Sequence, residues 1–208
     1  MATRLPAEQR KAAVLDTACG IFSNGSYRGT TTAQIARTAG VTEPVLYRHF
    51  ASKRELYLAV LEESWRRLRV LWDAAVEAEP DSRLWVGVMG QAYFEAKDQK
   101  VRCADLWVQA LTEASDDPVI RKFLRKQMRE VHDYVSGVVV RSQEAGGVYH
   151  DRDASAEAWI FIAIGLLGTV GRRVGGLIHD EFPAIVSSRR RWMTGLEDTP
   201  DISDTLDI

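Results

Sequence analysis

Between Thr31 and Lys53 the chain concentrates side chains suited to binding a polyanion. Thr31, Thr32 and Thr42 bring hydroxyls, Tyr47 a phenol, and Arg48, His49 and Lys53 nitrogen donors. Phosphate oxygens accept hydrogen bonds from such groups, and base edges in the major groove offer both donors and acceptors. Glu43 stands among them, as a solvated charge at a helix start or as an acceptor for a cytosine amino group. Pro44 has no N–H to give. Val45 either meets a thymine methyl or packs inward, Tyr47 either faces DNA or the core, and His49 either donates or caps a helix end. No other chemistry competes with this cluster. His132, His150 and His179 are scattered, with no i, i+4 pair beside a third ligand, so no metal site is expected. Nucleophile-elbow, phosphate-loop and paired-carboxylate patterns are missing, so neither a catalytic centre nor a cofactor is expected. Gly165, Gly168, Gly171, Gly175 and Gly176 lie inside an apolar helical stretch rather than after a strand, which excludes a dinucleotide loop.

The elements that must present these side chains are helices. Almost every segment has helical periodicity and none alternates with period two, so the fold class is all-α with about nine helices. Helix one starts near Pro6 or Ala7, buries Val14, Leu15, Ala18, Ile21 and Phe22, and ends at Ser23-Asn24-Gly25-Ser26. Thr31 with Gln34 fits a capping box for helix two, which Gly40 stops. Thr42 caps helix three, ending near Phe50, and Ser52 caps a long helix four that Pro80 ends. Two short helices joined by Gly40-Val41 make a helix-turn-helix over about 31–50. Helix five is expected from near Asp81, and a shorter helix six carries Cys103 to Leu111. Helix seven follows the cap Asp117 and closes at Gly146-Gly147. Helix eight is expected from about Asp153 to Gly176 and helix nine from about Ala184 to Leu196.

Composition bounds the rest. The 208 residues are 46% apolar and 27% charged, enough to bury a core and unlike a disordered chain. Net charge is −2, but residues 1–60 carry eight Lys/Arg against four Asp/Glu, and the remainder nineteen against twenty-five. A basic head on an acidic body points to a local polyanion site. The two cysteines, Cys19 and Cys103, exclude a disulfide scaffold. The N-terminus lacks a signal-peptide core, and the apolar run near Ala158 to Gly171 is too short for a membrane span, so the expected location is the cytoplasm.

The string Thr30-Thr31-Thr32, Ile35-Ala36, Ala39-Gly40-Val41-Thr42, Leu46-Tyr47-Arg48-His49-Phe50, Ser52-Lys53, Leu56 resembles the TetR family of transcriptional regulators over residues 7–62. The resemblance implies a DNA-binding domain at 7–62 and a helical ligand-binding and dimerisation domain at 63–197, followed by an acidic tail at 198–208. It implies a homodimer on a pseudo-palindromic operator, usually a repressor released by a small molecule, with an activator or a protein-responsive regulator as the alternative. By position, Ile35, Ala36, Leu46 and Phe50 would be core. Thr42, Tyr47, His49 and Lys53 would touch phosphates or base edges, and residues 43–45 and 48 would tune sequence choice. Pro44 and Val45 depart from the small and hydroxyl residues common there.

The body suggests two further sites. An apolar or aromatic ligand would lie between helices five to eight, with Tyr93, Trp107, Leu111, Phe123 and Met128 as lining and His132 as a polar contact, or these residues are plain core. Small residues at three- and four-residue spacing make helix eight a dimerisation candidate. Trp159, Ile160, Ile164, Leu167 and Gly168 would face a partner, with Trp192, Met193 and Leu196 of helix nine.

Overall fold

The computed structural model describes residues 7–96 and 103–196. Pro6 and the acidic tail lie outside them. Among the described residues the chain forms nine helices and no strand. They are α1 (Ala7–Asn24), α2 (Thr32–Thr38), α3 (Glu43–His49), α4 (Lys53–Ala78), α5 (Trp85–Glu95), α6 (Cys103–Ala114), α7 (Pro118–Glu144), α8 (Ala154–Arg173) and α9 (Phe182–Thr194).

The helices group into two compact units. The first takes in α1 to α3, α4 as far as Arg67, α6, and α7 as far as Lys126. The second takes in α4 from Leu68, α5, α7 from Gln127, α8 and α9. The sequence division at residues 62 and 63 follows the chain, whereas the structure groups α6 with the N-terminal helices.

Local sequence sets the boundaries of the first unit. Thr31 Oγ1 accepts from Gln34 N–H at 3.1 Å, closing the first turn of α2. Gly40 sits at φ +68°, a conformation that side chains resist. That lets Gly40 and Val41 N–H bond the carbonyls of Arg37 and Ala36 at 3.2 and 3.0 Å, ending α2. Ser52 Oγ accepts from Glu55 N–H at 3.1 Å while the Glu55 carboxylate reaches back to Ala51 N–H at 2.9 Å, fixing the start of α4. Val14, Ala18, Phe22, Ile35, Leu46 and Leu56 are buried together with Tyr57, whose ring meets Phe22 edge-on at 4.9 Å. Each fully buried Val, Leu, Ile or Phe side chain among them stabilises by roughly 1.5–3 kcal/mol. The Tyr57 hydroxyl donates to the Leu106 carbonyl of α6 at 3.4 Å, and burial pushes its pKa up. Burial also pushes the Cys103 thiol up to about 12.

In the second unit Trp72 stacks on Tyr134 at 5.8 Å and meets Phe161 edge-on at 5.5 Å. Val139, Val148 and Met193 form a buried cluster. α5 begins at Trp85, later than expected, because Asp81 Oδ1 accepts from Arg83 N–H at 2.9 Å and its carbonyl accepts from Leu84 N–H at 2.9 Å, holding a turn first. α8 is capped by Asp153, which accepts from Ser155 and Ala156 N–H at 2.8 and 3.0 Å. It ends at Arg173, short of the expected Gly176, since Gly175 and Gly176 turn away at φ +83° and +80°. α9 starts two residues early, at Phe182, with Pro183 in its first turn, and stops before Gly195. By length and composition α8 is apolar enough to cross a membrane, more than the shorter run read from sequence. A core helix passes the same test, and here Ala158, Ile162, Gly168, Thr169 and Gly171 of α8 are buried within the unit.

Candidate nucleic-acid interface

α3 and its C-terminal cap residue Phe50 present an inner and an outer face. Leu46 and Phe50, four apart, are 0% and 2% exposed and anchor the helix. Pro44, Tyr47 and Arg48 are exposed, while Glu43, Val45 and His49 are half-buried. Tyr47 keeps 45% of its surface open. Thr42 occupies the cap position of α3, is exposed, and makes no side-chain cap bond, so its hydroxyl stays outside the helix's own bonding. Thr31 is likewise exposed at the start of α2. The structure therefore brings Thr31, Thr42, Tyr47 and Arg48 to accessible positions on the two-helix motif.

Thr32 behaves differently from its neighbour. It is buried at 8% exposure, and its hydroxyl donates to the Glu43 carboxylate and lies 3.1 Å from the Tyr47 hydroxyl. Glu43 is thus tied across the turn to α2 rather than standing as a solvated charge.

Lys53 is also engaged. Its Nζ donates to the Thr30 carbonyl at 2.8 Å and sits 4.4 Å above the Tyr27 ring, and burial lowers its pKa. An ammonium has three donors, so this bond orients the group and leaves donors for another acceptor. Tyr27 packs at 4.8 Å on Tyr57. The Tyr27–Lys53 contact has no signal in local sequence.

Two further arginines of the motif's surroundings were likewise missed. Arg28 pairs with Glu113 at 3.0 Å and with Asp116, and Arg54 pairs with Asp117 at 3.1 Å. These partners lie on α6 and the turn before α7, and Arg28 and Glu113 are 85 positions apart in the chain. Arg67 of α4 joins Asp16 of α1 at 2.6 Å and Glu63 at 2.7 Å, bracing the same unit.

The residues expected to line a ligand site separate between units. Trp107 is buried, Leu111 is 49% exposed and Phe123 is half-buried in the first unit. In the second, Tyr93 is buried beside Thr169 at 3.5 Å, and Met128 is half-buried. His132 is buried, with Nδ1 2.8 Å from Asp133, Nε2 2.9 Å from the Ser155 hydroxyl, and its ring 4.6 Å from Trp159. Among the described residues no group of acidic, histidine or cysteine side chains is placed to hold a metal.

The residues expected at a dimer face also divide. Trp159, Leu167 and Trp192 are 37%, 40% and 51% exposed, and Ile160, Ile164 and Leu196 are half-buried. Gly168 and Met193 differ from expectation and turn inward. A Cβ at Gly168 would lie 2.9 Å from ring atoms of both Phe94 and Phe182, and Met193 is packed in its cluster at 5% exposure. Val170, and Val174 just past the end of α8, absent from the sequence reading, extend the exposed stripe.

Residues 14–60 match the family model described as bacterial regulatory proteins, tetR family. The chain is similar to the HTH-type transcriptional activator FasR of Mycolicibacterium smegmatis, with 37% identity over 92 residues, which are 44% of this chain and 42% of FasR. It therefore spans less than half the length of that curated relative. Among solved structures it is similar to a TetR-family transcriptional regulator from Rhodococcus sp., with a TM-score of 0.78, 18% identity, and coverage of 90% of this chain and 100% of that one. It is also similar to AibR solved with isovaleryl coenzyme A and operator DNA, with a TM-score of 0.58, 17% identity, and coverage of 76% and 85%. At these identities the structural likeness shows the fold.

Proposed function

We propose that this chain, which belongs to the TetR family through its N-terminal domain, is a dimeric, sequence-specific DNA-binding transcriptional regulator of the cytoplasm. The observation that carries the reading is α3 itself. Leu46 and Phe50 lock one face into the core, and the opposite face presents Tyr47 and Arg48 beside the open hydroxyl of Thr42. Such a helix enters a major groove while Thr31 and Lys53 hold flanking phosphates and fix its register. Pro44 and Val45 contribute shape and apolar contact. Arg48 and His49 then bias the base sequence.

Residues 7–62 act as the DNA-binding domain and 63–197 as the ligand-binding and dimerisation domain. The exposed apolar stripe Trp159, Leu167, Val170 and Val174, with Trp192 of α9, pairs with the same stripe of a second copy. The two heads must sit ~34–36 Å apart, one turn of DNA, to enter successive major grooves. Release follows when a small molecule binds better to a dimer whose heads are wrongly spaced, because an effector shifts an equilibrium only by its differential affinity. AibR was solved with isovaleryl coenzyme A, and a ligand with an apolar portion suits Tyr93 and Met128 of the second unit. The sign of regulation is proposed as repression. FasR, named an activator, favours activation by the same dimer as the second reading.

The test is fluorescence anisotropy with DNA from the region upstream of the gene against scrambled DNA, at two salt concentrations. Tight binding to the first that Tyr47→Ala weakens supports the reading. Equal binding to both that vanishes with salt is phosphate attraction alone and sinks it.

A further inference from the structure

Tyr47, Thr32 and Glu43 form a short chain of hydrogen bonds whose direction is set by chemistry. An ionised carboxylate only accepts, so the Thr32 hydroxyl donates its one proton to Glu43. Thr32 Oγ1 lies 3.1 Å from the Tyr47 hydroxyl, and with the threonine proton already used, the tyrosine must donate. Thr32 is only 8% exposed, so water is poorly placed to reverse the order. Tyr47 itself is 45% exposed on the outer face of α3. With its proton given to Thr32, the tyrosine oxygen keeps its lone pairs for another donor.

Resting on the regulatory reading above, we infer that Thr32 and Glu43 are positioning residues that fix the polarity of Tyr47, so that Tyr47 meets DNA as a hydrogen-bond acceptor for a base amino group. Phosphate oxygens only accept, so Tyr47 cannot bond a phosphate without breaking its link to a buried hydroxyl. The hydrogen-bond donors in the major groove are the N4 amino group of cytosine and the N6 amino group of adenine. Every Watson–Crick pair carries one such amino group, on its cytosine or adenine side, so Tyr47 senses which strand of one pair bears it. Glu43 does not read a base. Its carboxylate holds the proton order and adds a fixed negative charge beside the backbone, which lowers affinity for all DNA and raises the share carried by base contacts.

The experiment uses full-length protein to select its preferred duplex from a randomised pool. Affinity for that duplex and for each single base-pair variant is then measured for wild type, Tyr47→Phe and Glu43→Gln, with thermal melts of each protein. At one pair, exchanging its two bases between strands moves the amino group across the groove and should weaken wild type about five-fold, the size of one lost hydrogen bond. Tyr47→Phe should remove that penalty while other positions keep theirs. Glu43→Gln, whose amide both donates and accepts, should shrink the same penalty and strengthen binding to unselected DNA several-fold. Two results overturn the inference. One is Tyr47→Phe weakening every duplex by one factor, as loss of a phosphate donor would. The other is Glu43→Gln scaling all affinities with no change in base preference. A wild type that selects no sequence would instead overturn the regulatory reading, and the inference with it.

Discussion

Two glycines of α8, three residues apart, should respond in opposite senses to alanine. At Gly168 a Cβ would lie 2.9 Å from Cζ of Phe182 and from Cε1 and Cζ of Phe94. Carbon atoms rest at about 3.5–4.0 Å, so the methyl intrudes by roughly half an ångström or more on each ring. Phe182 is buried and packs edge-on against Phe94 at 5.1 Å, so admitting the methyl means shifting both rings. Overpacking of this kind costs about 1–3 kcal/mol. Alanine returns about 1 kcal/mol in helix propensity, leaving a net loss of up to about 2 kcal/mol. At Gly165 nothing lies within 4 Å, so the same substitution keeps the propensity gain of about 1 kcal/mol. For a chain of this size each kcal/mol moves the melting temperature by about 2–4 °C. Gly168→Ala should therefore melt a few degrees below wild type and Gly165→Ala a few degrees above. The assay is thermal unfolding at two protein concentrations ten-fold apart, with the shift the same at both. A Gly168→Ala protein that melts above wild type would refute the packing argument, and a shift that changes with concentration would place Gly168 at a subunit contact instead.

Other consequences follow from named contacts. Leu167→Glu on the exposed stripe of α8 should convert a dimer to a monomer in sedimentation without altering helical content, and an unchanged dimer would move the interface elsewhere. Hydrogen bonds from Arg66, then Arg67, hold the Glu63 carboxyl down from 4.5 to about 2, against the opposing effect of burial. A depressed native pKa gives stability that is present above pH 4.5 and lost as the pH falls toward 2. Stability measured across that window should fall more steeply for wild type than for Glu63→Gln, and parallel curves would contradict the pairing. Cys19 and Cys103 are both buried, and the Cys103 thiol is pushed up to about 12, so neither should react with a thiol reagent at pH 8 until the protein unfolds.

What could be read from sequence was what neighbours along the chain decide. The Thr31 cap, the Gly40 stop, the Ser52 cap and the inward pair Leu46 and Phe50 depend on spacings of one turn, and the first unit keeps them. The end of α8 was overshot because apolar periodicity continues through Val174 and Leu177, while two glycines at positive φ have already turned the backbone. Gly168 and Met193 share their type with interface residues, and only the placement of Phe94, Phe182, Val139 and Val148 shows that they face inward. The Thr32–Glu43–Tyr47 chain depends on the angle between α2 and α3, and the Arg28–Glu113 pair closes across 85 residues. Neither leaves a local pattern.

The central claim is that two copies of α3 enter successive major grooves. Hydroxyl-radical footprinting of the full-length protein on DNA from its own upstream region tests it most directly. The account predicts two protected patches about one helical turn apart, ~34–36 Å centre to centre, both lost for Leu167→Glu at concentrations where wild type still binds. Uniform protection along the DNA, or a single patch unaffected by that substitution, would contradict it.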